Sequence, residues 1–85
     1  MQVSLDISMY PLDQDYEPPI LDFIARLQAH EQLTVRPNAL STQVFGDYDV
    51  LMDLLTREIR TSFAQGLPTV MTLKLVNLDR ANETV

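Results

Sequence analysis

Hydrophobic and polar residues alternate through Gln2–Leu12, with Val3, Leu5, Ile7 and Met9 on one side and Gln2, Ser4, Asp6, Ser8 and Tyr10 on the other. A period of two predicts a β-strand with two different faces. The polar side carries small hydroxyls, one carboxylate and a phenol. A merely solvated strand face would carry Lys, Glu and Thr, so this set suits a sheet face covered by a ligand or a partner.

The period then changes. Pro11 to Asp15 reads as a loop, and Asp15 or Glu17 can cap a helix whose first turn tolerates Pro18 and Pro19, because the N–H groups there have no helical acceptors. Tyr16, Ile20, Phe23, Ile24 and Leu27 follow at helical spacing, and the stripe is expected to end near His30. Leu33–Asn38 predicts a second strand, with Pro37 marking an edge or an end, and Leu40–Phe45 a third, closed by Gly46 and Asp47. Asp47 is a good N-cap for a second helix with Tyr48, Leu51, Met52, Leu55, Ile59 and Phe63 along one side. Gly66-Leu67-Pro68 is a stop signal in which glycine takes the left-handed position and proline forbids continuation. Thr69–Asn77 predicts the last strand, and the polar tail from Leu78 is expected to fray.

Strand, helix, strand, strand, helix, strand, with right-handed crossovers, predicts an α+β ferredoxin-like βαββαβ sandwich: a four-stranded antiparallel sheet with two helices on one face. The expectation is one domain over residues 1–85, with 78–85 as a flexible tail. Asp6, Ser8, Tyr10, Phe45, Thr72, Lys74 and Val76 are expected on the face the helices leave open.

Composition narrows the function classes. A chain of 85 residues supports one domain, and at this size only about 60% of the unfolded surface or somewhat more is buried, which favours oligomerisation. The absence of cysteine excludes disulfides and thiolate metal sites. A net charge of −6 with scattered basic residues repels phosphate backbones, so no nucleic-acid partner is expected, whereas cationic ligands are electrostatically welcome. No apolar run reaches the ~20 residues of a membrane helix and no basic-then-apolar leader opens the chain, so neither a membrane partner nor export is expected and the reading is cytoplasmic.

The catalytic inventory is thin. His30 is the only histidine and reads as a surface or helix-capping residue; both glycines are explained as helix punctuation. Asp13, Asp15 and Glu17 lack the turn glycine of a calcium loop, and the methionines read as core filler. No catalytic residue, metal or cofactor is therefore expected. Tyr10 ends the first strand on the open face, where a ring can stack on a flat ligand or pack in an interface. Ser41 and Thr42 offer paired hydroxyls at the start of the third strand, which also suit local backbone contacts.

The segments Ser8-Met9-Tyr10-Pro11-Leu12, Leu40-Ser41-Thr42-Gln43-Val44-Phe45-Gly46-Asp47 and Val70-Met71-Thr72-Leu73-Lys74-Leu75 together resemble the YkoF-like, thiamine-binding protein family of small ferredoxin-like domains. The resemblance implies a non-enzymatic domain that binds thiamine or its hydroxymethylpyrimidine part, with single-copy members forming dimers or tetramers. Thiamine's aminopyrimidine would find donors and acceptors in Ser8, Ser41 and Thr42, its rings a platform in Tyr10, and its thiazolium charge a counter-ion in Asp6 or another carboxylate. Lys74, sharing that face, would repel the cation or pair with Asp6. These five residues form the expected ligand site, with burial of part of the open sheet face as the expected mode of self-association. The competing reading is an oligomeric regulatory or interaction module without a small-molecule ligand. A small hydrolase such as an acylphosphatase shares the element order, but the glycine-rich anion loop it would need is missing.

Overall fold

The computed structural model describes residues 1–83. Strand β1 (Gln2–Pro11) leads into α1 (Glu17–Gln28), β2 (Thr34–Pro37) and β3 (Thr42–Asp47), then α2 (Tyr48–Ala64) and β4 (Thr69–Val76). The sheet order is β2-β3-β1-β4, with every neighbouring pair antiparallel. This is the expected ferredoxin-like α+β architecture.

The alternation in β1 decides the layering. Val3, Leu5 and Ile7 are almost wholly buried on the helix side, where they meet Val44 of β3, Phe23 and Leu27 of α1, and Leu51, Leu54 and Leu55 of α2. Residues directly opposite in an antiparallel pair share a face. Asp6 with Gln43 and Lys74, Ser8 with Thr72, and Tyr10 with Val70 therefore lie on the open side.

Element ends differ from expectation by a few residues. Tyr16, not Asp15 or Glu17, occupies the N-cap of α1, with no side-chain cap bond, and the prolines fill the first turn. Tyr16 thus leaves the apolar stripe and stays exposed. The third strand begins at Thr42 instead of Leu40 because Asn38 Oδ1 accepts from the N–H groups of both Leu40 and Ser41, holding 38–41 as a tight loop. Asp47 caps α2 as expected, accepting from Val50 N. Phe63, assigned to the buried stripe of α2, is about half exposed.

The segment expected to fray from Leu78 lies across the open sheet face. Ser4 Oγ donates to Leu78 O at 2.7 Å and accepts from Arg80 N at 2.9 Å. Arg36 donates to Ala81 O. Phe45 is consequently not uncovered: it sits on the open side as its parity requires, but is only 7% exposed, with the Arg36 guanidinium 5.2 Å from its ring centre. The last two residues of the expected tail lie outside the described residues.

Gly66 follows the C-cap of α2 with φ of +88°, and its N–H bonds to Phe63 O. A Cβ at this position would meet nothing within 4 Å, so the cost of Gly66→Ala is purely that of the left-handed backbone. The variant is expected to lose about 1 kcal/mol of stability, read as a melting temperature roughly 5 °C lower for a domain of this size. An unchanged melting temperature would show that the chain reverses there by another geometry.

Candidate functional site

The site is built around the end of β1. Residue parity directs Asp6, Ser8 and Tyr10 to one face, and the Asn38-stabilised loop brings Ser41 beside them. Ser41 Oγ donates to Asp6 Oδ1 at 2.6 Å, while Lys74 Nζ stands 3.9 Å from Asp6 Oδ2. Ser8 Oγ makes only a long 3.4 Å bond to Leu40 O and remains available to another partner. Lys74 therefore pairs with Asp6, one of the two outcomes expected of it. That pairing is weak, because the ammonium is exposed and solvated.

Asp6, Ser8, Tyr10 and Ser41 line a cleft of about 820 Å³, together with Met9, Pro11, Tyr16, Ile20, Ala39 and Leu40. Its size falls within the range of small-molecule sites, and its make-up follows their pattern of apolar walls with a few convergent polar groups. Tyr10 and Tyr16 are 51% and 56% exposed, so both offer ring surface to an occupant. Four of the five residues expected at the site are thus brought together.

Thr42 is separated from them. It pairs with Ile7, so it turns to the helix side, is 6% exposed, and lines a small adjoining void of about 90 Å³ instead of the cleft. The strand starts at Thr42, and successive residues alternate faces, so Ser41 and Thr42 cannot both reach Asp6. Tyr16, Ile20 and Leu40 were missed as lining residues. Tyr16 and Ile20 carried a signal: only a short loop separates Tyr10 from α1, so the first turn of the helix must lie close to the end of β1.

A second concavity of about 300 Å³ lies on the other side of Asp6, between β4 and the segment after Leu78, and is lined by Ser4, Gln43, Phe45, Lys74, Arg80 and Glu83 among others. Arg80 pairs there with Glu83. Asp6 lines both cavities and is the carboxylate they share.

The most extensive polar cluster is structural and lies between the helices. Arg26 donates to Asp22 Oδ2 at 3.0 Å, to Glu58 Oε1 at 2.6 Å, to Glu58 O at 2.9 Å and to Ser62 Oγ at 2.5 Å. His30 Nε2 stands 2.7 Å from Glu58 Oε2, so the histidine, which follows the Ala29 C-cap of α1, joins this helix–helix cluster. Burial acts to raise the Glu58 carboxyl, but the hydrogen bonds and charges of His30 and Arg26 outweigh it and hold the group below its ordinary range. Gln65 and Arg26, by donating to Asp22, lower that carboxyl as well. Among the described residues no group of three or more acidic, histidine or cysteine side chains is placed to hold a metal ion. No helix of the described residues is long and apolar enough to cross a membrane.

Fold and cleft together define a small ferredoxin-like α+β domain with an open, aromatic-walled cavity at one end of its first strand. No family model and no curated protein matches the chain. Among solved structures it is similar to a Streptococcus pneumoniae protein, at 22% identity and a TM-score of 0.85 over 98% of this chain and 93% of that one. It is also similar to a putative thiamine biosynthesis/salvage protein from Thermotoga maritima, at 18% identity and a TM-score of 0.81 over 92% and 85% of the two chains. A domain of unknown function from Bacillus cereus, DUF77, aligns at 18% identity and a TM-score of 0.70 over 93% and 78%. At these identities the likeness is one of fold.

Proposed function

We propose that the protein is a non-enzymatic, oligomeric small-molecule-binding domain of the YkoF-like type, whose cleft takes thiamine or its hydroxymethylpyrimidine part. The observation that carries this reading is the cleft itself, where two exposed tyrosine rings flank an acid–hydroxyl pair. The likeness in fold to a putative thiamine biosynthesis/salvage protein from Thermotoga maritima supports the choice of ligand. Tyr10 and Tyr16 offer stacking surfaces for flat rings, Ser8 and Ser41 supply hydroxyls for an aminopyrimidine, and Asp6 supplies the charge that a thiazolium needs. Ile20 and Leu40 add apolar surface to the cleft lining.

Calorimetric titration tests this directly. Thiamine or hydroxymethylpyrimidine is expected to bind saturably, and Tyr10→Ala to weaken that binding by about 1 kcal/mol, some fivefold in Kd. Tyr16→Ala is expected to act in the same direction. Binding untouched by both substitutions would place the ligand elsewhere, and no binding by the parent chain would favour the pure interaction module.

A further inference from the structure

The open sheet face is laid out in rows, because residues opposite one another across antiparallel strands share a side. One row holds Gln43, Asp6 and Lys74, and the next holds Phe45, Ser4 and Val76. The first is polar and charged, and the second is mainly apolar. The segment after Leu78 crosses the second row, held by the donor and acceptor bonds of Ser4 Oγ. Both rows line the concavity of about 300 Å³ beside Asp6, and the crossing segment adds Arg80 and Glu83 to it.

Its charges are balanced in a chain that is not. Asp6 and Glu83 stand against Lys74 and Arg80, whereas the whole chain carries −6. Both internal pairs are exchangeable. Lys74 Nζ is 3.9 Å from Asp6 Oδ2, beyond hydrogen-bond distance, and its side chain is 86% exposed; Arg80 and Glu83 are each about half exposed. Solvated pairs of this kind hold each other only weakly. Asp6 also divides its oxygens: Oδ1 accepts from Ser41 on the cleft side, while Oδ2, toward Lys74, accepts no hydrogen bond among the described residues.

We propose that this concavity is a second ligand site, and that it takes a free α-amino acid with an apolar side chain, in its zwitterionic form. The ligand's ammonium donates to Asp6 Oδ2 in place of Lys74. Its carboxylate accepts from the Lys74 ammonium so released and from the Arg80 guanidinium. A simple anion would meet Asp6 and Glu83, and a simple cation would meet Lys74 and Arg80. A zwitterion finds an opposite charge at each end. The apolar side chain lies toward Val76 and Phe45, one row away and so about 7 Å along the strands, a gap that a leucine or phenylalanine side chain fills.

The volume stands at the lower end of the range for small-molecule sites, which suits a ligand of amino-acid size. Lys74, Arg80, Glu83, Phe45 and Val76 line this concavity and not the cleft, so the site does not depend on the thiamine reading. Asp6 alone links the two. A cation in the cleft and the ammonium of an amino acid draw on the same carboxylate, so each ligand is expected to weaken the other, and by the same factor.

Calorimetric titration of the full chain with L-leucine and L-phenylalanine tests the proposal. At least one is expected to bind saturably. Isocaproate and hydrocinnamate, which lack the ammonium, and isoamylamine and phenethylamine, which lack the carboxylate, are expected to bind at least about tenfold more weakly. Lys74→Gln and Arg80→Gln are each expected to weaken amino-acid binding about tenfold with circular dichroism unchanged, whereas Arg57→Gln, on α2 and in neither cavity, has no effect. A parent chain that binds the amino acid but not thiamine supports this site and sinks the cleft reading alone. No binding tighter than about 1 mM by either amino acid, equal binding of the singly charged analogues, or binding untouched by both substitutions would overturn the proposal.

Discussion

Leu27→Ala is expected to be the most damaging single substitution considered for this chain, costing about 3–4 kcal/mol. Leu27 is fully buried at the meeting of α1, the sheet and α2. Truncation removes transfer free energy and leaves a cavity that a close-packed interior refills only in part. A domain of this length has a total stability of roughly 4–13 kcal/mol, so the loss removes a large share of it. Urea unfolding at fixed protein concentration checks this, with the midpoint expected to fall sharply while the slope is unchanged. A shift under about 1 kcal/mol would mean that α1 packs differently from the arrangement described.

The second large effect is expected at the interhelical cluster. Arg26→Met keeps the stem that packs near Phe23 but deletes the donors to Asp22, Glu58 and Ser62. The Glu58 side chain is only 14% exposed, so the substitution leaves its carboxylate poorly compensated, at a cost of about 2–3 kcal/mol or roughly a 10–20 °C lower melting temperature. The same geometry predicts the acid limb of stability. The folded-state pKa of Glu58 lies below its ordinary 4.5, so the stabilisation it supplies is complete above that value. It is lost as pH falls through the lowered folded-state value. Glu58→Gln is therefore expected to be less stable than the parent at neutral pH and to lose less stability between pH 5 and 3 (the range about the ordinary carboxylate values). Parallel pH profiles for the two proteins would assign the acid sensitivity to other carboxylates.

Strand parity makes three of the ten residues that line the cleft legible in the sequence alone. Asp6, Ser8 and Tyr10 had to share a face once β1 was recognised, and the polar character of that face singled it out. Ser41 was correctly placed beside them and Thr42 was not, because two adjacent hydroxyls at a strand start look equivalent until the first paired residue is known. That start is set by Asn38, whose side chain holds the loop two residues further than the hydrophobic pattern suggested. Tyr16 was misassigned for a related reason. Helical spacing put it on the apolar stripe, but as the N-cap it precedes the first full turn and points to the cleft.

What the amino-acid order determined by itself is local and periodic. The two-residue alternation of β1, the stripes of α1 and α2, the Asp47 cap and the Gly66 stop each follow from backbone geometry within a few residues, and together they dictate the ferredoxin-like sandwich. Only the tertiary structure decided the rest, because it depends on pairs far apart in the chain. Ser4 holds Leu78 and Arg80 and so covers Phe45; Arg26 and His30 reach Glu58 across the helix layer; and β4, placed at the edge, keeps leucines exposed that its alternation alone would have buried. Periodicity tells which side of an element a residue occupies, whereas burial depends on what the rest of the fold brings to that side.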